Sequence, residues 1–353
     1  MKWVTQLLLT GSVAIDDVKF AIISLVGESL LAWDKSSITI RGERNMFLSV
    51  EFHPFRLPSP GLWLDIFQKI KAMGFLACES GHIKNSGVYN LEGFFDAAKR
   101  AGIYLLARPG PYINSEVSGG GFPGWLQRNK GVLRATAPDF RGVLQITFGT
   151  LEESSAKQKL RRAFTFCLES GTTSVGACVD KSYMQWIERE FRFAEITVPF
   201  INNDGVPTGN FVPGSGPGEV DIYGFDFYPF GWASLKFRSI SLPSSPIAAV
   251  EFQGGTGGVG VETAAALINH EFARVFYKIN YGLHTAIMNL YMTYGGTNWG
   301  NIGHPLGYTS YDMGAAISED RQLVREKYSE LKLQANYLRS SPAYLTASPQ
   351  GDM

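Results

Sequence analysis

From about residue 38 onward, short runs of β-branched and aromatic residues alternate with segments of helical period, and this alternation limits the fold more than any other feature of the chain. Eight runs read as strands: Met46 to Phe52, Phe75 to Glu79, Tyr104 to Arg108, Ala163 to Glu169, Val198 to Asn203, Val220 to Phe225, Ala248 to Phe252 and Ala286 to Tyr294. Between several of them apolar residues recur at three- and four-residue spacing, as in Trp63, Phe67, Ile70; Phe94, Phe95, Ala98; Ile268, Phe272, Val275, Ile279; and Val324, Tyr328, Leu331, Ala335. Eight strands with interleaved helices predict an α/β fold, a (β/α)8 TIM barrel rather than a doubly wound sheet. No GxGxxG or GxxxxGK[ST] loop opens any of the helices, so a nucleotide-binding sheet would lack its phosphate cradle. Two places interrupt the pattern, and the barrel is expected to be distorted around its second and fourth strands. The link Ser80 to Asn90 is short for a loop that helps to build a site. The segment Arg141 to Arg162 carries Glu152, Glu153 and a basic cluster at Lys157, Lys159, Arg161 and Arg162, and it reads as a solvated polar helix or an insertion.

Hydrophobic residues at 45% and charged residues at 18% supply a packed core and give no compositional case for disorder. The 32 basic and 32 acidic residues cancel, which removes the broad attraction that nucleic acid or an anionic membrane needs and points to an uncharged or small partner. Aromatic residues, at 13%, fit sugar-stacking surfaces, and fit an aromatic-rich core better. Cys78, Cys167 and Cys178 show no CxxC spacing, so no zinc site is indicated and at most one disulfide can form. The N-terminus begins with Lys2, runs through apolar Trp3 to Leu9 and reaches small residues near Ser12 and Ala14, a weak secretory-signal pattern. A second apolar stretch, Phe20 to Trp33, contains Glu28 and falls short of the roughly 20 residues that span a bilayer. The chain therefore divides into an N-terminal segment over 1–36, a candidate signal peptide, and a barrel domain over 37–348, with export as the expectation.

In (β/α)8 enzymes the chemistry sits at the C-terminal ends of the strands, so acids that close a strand are the ones to inspect. Glu51, Glu116, Glu169 and Glu251 all lie at or just beyond such ends. Glu251 stands inside the apolar run Ile247 to Phe252, where a carboxylate is costly to bury unless it is paired or hydrogen-bonded. An ion pair with Arg44, Arg56 or Arg108 is the lesser alternative to a role in catalysis. Two carboxylates roughly 5 Å apart across a barrel mouth are the equipment of retaining glycoside hydrolysis, one as nucleophile and the other as acid and then base. Their environments must separate their pKa values. Tyr112, Tyr228, Tyr291 and Trp299, beside the same strand ends, offer ring faces for a sugar.

Longer motifs narrow the reading. Glu51-Phe-His-Pro-Phe-Arg-Leu-Pro58, Gly102-Ile-Tyr-Leu-Leu-Ala-Arg-Pro-Gly-Pro-Tyr-Ile-Asn114, Gly119-Gly-Gly-Phe-Pro-Gly-Trp-Leu126, Pro199-Phe-Ile-Asn-Asn-Asp204, Glu251-Phe-Gln-Gly-Gly255, Leu290-Tyr-Met-Thr-Tyr-Gly-Gly-Thr-Asn-Trp-Gly300 and Tyr308-Thr-Ser-Tyr-Asp312 resemble, in order, fungal β-galactosidases of glycoside hydrolase family 35. The resemblance covers most of Ser37 to Ser348. It implies the catalytic (β/α)8 domain of an exo-acting, retaining β-galactosidase, secreted, needing neither metal nor cofactor, whose partner is a galactoside or a galactose-containing oligosaccharide or polysaccharide. By position it makes Glu251 the nucleophile. Tyr112, Asn114, Ser115 and Glu116 become galactose-binding residues, and Tyr228 a tyrosine near the nucleophile.

The resemblance also exposes departures. Relatives carry a Tyr-Val-x-Trp stretch after the second strand, and that substrate-contacting tyrosine is missing from the short link here. Relatives end the fourth strand with Glu-Asn-Glu-Tyr, whose second Glu is the acid/base, whereas this chain reads Phe166-Cys-Leu-Glu-Ser-Gly171, leaving Glu169 as the acid nearest the right place. Ser115 replaces an Ala and Met313 a tyrosine. Relatives continue into β-rich domains, so the chain reads as a catalytic domain alone. The alternative from another class is a galactoside-binding remnant with an impaired acid/base.

Overall fold

The computed structural model describes residues 31–80, 90–108, 110, 112–122, 124–128, 134–138, 141–142, 165–169, 180–205, 209–229, 245–256, 261–302 and 309–347. The secretory-signal pattern, most of the link Ser80 to Asn90, the charged segment beyond Gly142, and Cys178 lie outside them.

Eight strands form one all-parallel sheet: β4 (Phe47–Phe52), β5 (Ala77–Ser80), β6 (Tyr104–Ala107), β7 (Thr165–Glu169), β8 (Phe200–Asn203), β9 (Gly224–Phe227), β10 (Ala248–Gln253) and β11 (Ile287–Tyr294). Their spatial order is β8-β7-β6-β5-β4-β11-β10-β9. The two end strands of that order lie beside each other, joined by parallel bridges Ile201↔Ile222 and Asp204↔Phe225. Asp204 N–H reaches Gly224 O at 3.2 Å and Asp226 N–H reaches Asp204 O at 2.7 Å. Each strand from β4 to β8 pairs with the next in sequence, as βα repeats should.

Side-chain alternation separates two cores. On β4, Leu48, Val50 and Phe52 join the larger apolar cluster beneath the helices, while Phe47 joins a smaller one that also holds Leu106, Ile201, Ile222, Ala248, Val250 and Ile287. Contributors from both ends of the strand order meet in that small cluster, so the sheet curls around it. A short antiparallel sheet, β1 (Leu31–Trp33), β2 (Ile38–Ile40) and β3 (Glu43–Asn45), covers it with Ile38 and Ile40. The β1–β2 pair straddles the boundary expected between 36 and 37.

Outside the sheet, helix α1 (Trp63–Ala72) buries Trp63, Ile66, Phe67 and Ile70, the one-face spacing that the sequence displays. Helix α2 (Leu91–Ala101) is capped by Asn90, whose side chain accepts from Gly93 N–H at 3.0 Å, and ends at Gly102 with φ of 68°. Helix α3 (Lys181–Phe193) starts under Asp180, which accepts from Tyr183 N–H at 2.9 Å. Helix α4 (Val261–Leu267) and α5 (Glu326–Arg339) follow β10 and β11. The Phe52, Phe67 and Phe94 rings pack edge-to-face or tilted with centroids 4.9–5.6 Å apart, with Trp63 and Tyr294 alongside. No helix of the described residues is long and apolar enough to cross a membrane.

The strand expected at Val220 to Phe225 begins later, at Gly224. Val220 N–H is held by Phe211 O, and the Asp221 and Ile222 N–H groups share Phe200 O, so Ile222 meets the sheet as an isolated bridge to Ile201 and the continuous strand begins only at Gly224.

Candidate active site

Five strands supply the polar cluster at their C-terminal ends. Continuing the inward phase of β4 from Phe47 through Ser49 brings Glu51 to the C-terminal rim, where it is 1% exposed. Arg108 follows β6 directly and spans two carboxylates, with one guanidinium nitrogen 3.2 Å from Glu51 Oε2 and another 3.0 Å from Glu251 Oε2. Asn203, closing β8, donates from Nδ2 to the same Glu251 oxygen at 3.1 Å. Tyr228, just past β9, donates its hydroxyl to Glu251 Oε1. Arg108, Asn203 and Tyr228, among the described residues, thus hold Glu251 on β10.

Strict alternation along β10 would not put Glu251 there. Ala248 and Val250 face the inner cluster while Ala249 and Phe252 face the helices, so two inward positions, Val250 and Glu251, follow one another. The register explains this. Against β9, Ala249 pairs with Phe225 and Glu251 already with Asp226, and against β11 Ala249 pairs with Met288 and Phe252 with Leu290. One extra residue is accommodated on β10, a bulge of the kind that re-aims a side chain beside a site.

Glu51 also receives His53. Its Nε2 lies 2.8 Å from Glu51 Oε1, and its Nδ1 faces a guanidinium N–H of Arg56. An arginine can only donate, so Nδ1 accepts and the ring proton sits on Nε2, donated to Glu51. Burial, and then the charge of Arg56, holds His53 well below its ordinary pKa and therefore neutral. Burial pushes the Glu51 carboxyl up to about 7, against the opposing pull of Arg108. Arg56 is further fixed by Asn298 Oδ1 at 2.8 Å and Ser115 O at 2.6 Å, and its guanidinium lies 3.5 Å over the Tyr311 ring.

The loop after β6 carries Asn114, Ser115 and Glu116 at φ of 53°, 50° and 46°, three consecutive non-glycine residues in the left-handed region. Such backbone costs about 1 kcal/mol or more per residue and persists only where its surroundings enforce it. Here Arg56 holds the Ser115 carbonyl, Val117 N–H closes on Asn114 O at 3.2 Å and Ile113 N–H reaches Gly120 O at 3.0 Å. The turn aims Glu116 at Tyr291 and Tyr311, whose hydroxyls both donate to its Oε2 and lie 2.6 Å apart. Burial first, and then Glu116, raises both phenols well above their ordinary range, so they stay protonated donors. The same two causes, burial and the Glu251 charge, raise Tyr228.

Of the residues singled out from sequence, Glu251 and Tyr228 meet directly. Glu116 stands across Arg56 and Tyr311 from the Glu51 pair. Tyr112 donates to Asn114 Oδ1 at 3.1 Å, and Asn114 is exposed at the rim. Ser115 is buried, with its hydroxyl on Ile113 O at 3.0 Å and 3.3 Å from His53 Nε2, so it serves the turn. For Glu169 the backbone is described: it ends β7 opposite Asn203 in the β7–β8 register. Trp299 is exposed. Of the three arginines weighed against Glu251, Arg108 is its partner, while Arg44 pairs with Asp34 at 2.9 Å. His53, Arg56, Asn203 and Tyr311 were not anticipated as site residues, although each lies in a motif quoted above. Among the described residues no three His, Cys, Asp or Glu side chains converge as a metal site requires.

Comparison with known proteins gives the family. The sequence is 47% identical over 359 residues to beta-galactosidase A of Aspergillus oryzae, covering 92% of this chain and 36% of that protein. It is 48% identical over 363 residues to beta-galactosidase A of a Penicillium species, with the same coverage. The chain thus spans about a third of the length of the relatives it matches. Among solved structures it resembles a beta-D-glucuronidase of Dictyoglomus thermophilum with a TM-score of 0.58 at 12% identity, covering 87% of this chain and 53% of that one. A beta-galacturonidase from Eisenbergiella tayi aligns with a TM-score of 0.55 at 10% identity, covering 91% and 55%. At such identity these likenesses speak for the fold alone, which is of the TIM-barrel type. The family model for glycosyl hydrolases family 35 matches residues 37–338, and the chain belongs to that family.

Proposed function

We propose that this chain is the (β/α)8 catalytic domain of a secreted, retaining exo-β-galactosidase that removes terminal non-reducing β-galactose. The observation that carries the reading is Glu251 itself, a buried carboxylate in the C-terminal half of β10, oriented by Arg108, Asn203 and Tyr228. In the proposed first step a Glu251 oxygen attacks the anomeric carbon while the glycosidic bond breaks and the leaving oxygen takes a proton from Glu169. In the second step Glu169, now a base, activates the water that releases galactose with retention. Arg108 and Asn203 share one oxygen of the nucleophile and Tyr228 holds the other, which fixes the carboxylate plane before substrate arrives. Glu116, gripped by two phenols, and Asn114 on the same turn are placed to receive sugar hydroxyls, with Tyr112 orienting Asn114.

The test is hydrolysis of an activated aryl β-galactoside and of lactose by the full chain, Glu251→Gln and Glu169→Gln. The wild type should cleave both, Glu251→Gln neither, and Glu169→Gln should be impaired on lactose far more than on the aryl substrate, whose leaving group needs little protonation. A folded wild type that cleaves neither substrate overturns the proposal.

A further inference from the structure

Asn289 takes no part in the steps above, yet it touches the β10 bulge on which the aim of Glu251 depends. It lies on β11, fully buried, opposite Ser49 in the β4 register. Its Nδ2 donates to the carbonyl of Val250 at 3.1 Å. Val250 is the residue that the bulge inserts, and the next residue is Glu251. A bulge leaves its extra residue outside the regular ladder, and here the carbonyl of that residue takes a side-chain donor from the neighbouring strand. Were Val250 paired in the regular ladder instead of bulged, alternation from Ala248 and Ala249 would send Glu251 toward the helices and Phe252 into the mouth.

We propose that Asn289 is a positioning residue for the nucleophile: its side-chain amide pins the Val250 carbonyl, holds the bulge in place and thereby turns Glu251 toward Arg108, Asn203 and Tyr228. The inference rests on Glu251 being the nucleophile. Asparagine suits the task because its short amide presents a donor across one inter-strand gap. An isosteric leucine offers none, and an aspartate offers an acceptor to a carbonyl that needs a proton.

Two readouts on the full chain separate this role from ordinary packing. The first is trapping by 2,4-dinitrophenyl 2-deoxy-2-fluoro-β-galactoside, in which a Glu251 oxygen bonds to the anomeric carbon and dinitrophenolate departs with the bonding pair, leaving a mass increment on the peptide holding residue 251. The second is amide hydrogen exchange over 248–253, which reads the bulge whether or not sugar reacts. Asn289→Leu should slow trapping by about 100-fold, the scale of a misplacement near 1 Å, while the Kd for galactose moves less than about three-fold. Exchange over 248–253 should quicken, and exchange over 47–52 should not. Asn289→Asp carries the same test if the leucine variant does not fold. Ser49→Ala, an equally buried change on the facing strand, should leave trapping at the wild-type rate. Unchanged trapping and exchange in a folded Asn289 variant overturns the inference, as does an equal loss in Ser49→Ala. A wild type that exchanges slowly but is never labelled at Glu251 instead overturns the nucleophile assignment, and the positioning role falls with it.

Discussion

At the scale of single residues the charge balance of the site turns on Arg108, shared between Glu51 and Glu251 while almost wholly buried. Removing one member of a buried ion-pair network leaves the others without compensation, at a cost of about 3–5 kcal/mol. Arg108→Met should therefore lose about that much stability at pH 8 by urea unfolding. Burial already lifts the Glu51 carboxyl to about 7 with Arg108 present, and the variant should lift it further. A carboxyl raised in the folded state favours folding while it is protonated and loses that advantage as pH climbs from its ordinary range through the raised value. The deficit of Arg108→Met should accordingly shrink at pH 5; a deficit equal at both pH values would show that the two carboxylates do not depend on Arg108. The acids of this network were legible in sequence because a carboxylate in an apolar run demands a partner. The partners were harder to assign: Arg56 meets Asn298 across 242 residues, and no local pattern records which arginine a folded chain brings to which acid.

At the scale of elements, runs of buried residues located seven of the eight sheet strands to within two residues, since parallel strands are apolar on both faces and announce themselves. Two features were not legible. The β10 bulge changes side-chain phase without changing composition, and Ala-Ala-Val-Glu-Phe-Gln reads the same with or without it. The late start of β9 depends on Gly224, where the end strands of the sheet meet. A Cβ there would stand 2.4 Å from Asn202 O, 2.7 Å from Ile201 Cγ2 and 2.8 Å from Val250 Cγ1. Backbone cannot yield as a flexible side chain can, so Gly224→Ala should destabilise by about 1–3 kcal/mol, the range for overpacked cores. Because the third clash is with the bulge residue, the same variant should also quicken hydrogen exchange over 248–253. Wild-type stability in Gly224→Ala would mean that β8 and β9 part readily, and that their meeting adds little to the fold.

At the scale of the whole molecule, α5 ties the end of the chain's described part to the strand that carries Glu251. Lys327 on α5 is 3% exposed and directs Nζ to two backbone carbonyls, Gly254 just after β10 and Gly314 at 3.2 Å. The charged groups nearest to it are Arg325 and Asp312, themselves paired at 3.0 Å. Burial, reinforced by Arg325 and opposed by Asp312, lowers the Lys327 amine to about 7. A neutral amine keeps two N–H donors, enough for both carbonyls, so deprotonation removes a buried charge without giving up the clasp. The sign follows from proton counting. Between about 7 and the ordinary lysine value of 10.5 the unfolded chain binds a proton that the folded chain does not, so stability due to Lys327 rises with pH across that window and is least below it. Lys327→Met has no such titration and leaves both carbonyls without their donor at every pH. The advantage of wild type over Lys327→Met should thus grow by about 2 kcal/mol between pH 7 and pH 9 in paired urea titrations. A difference that stays flat over this range would mean that the ammonium remains charged in the fold, and the clasp of α5 on the Glu251 strand would then be ionic throughout.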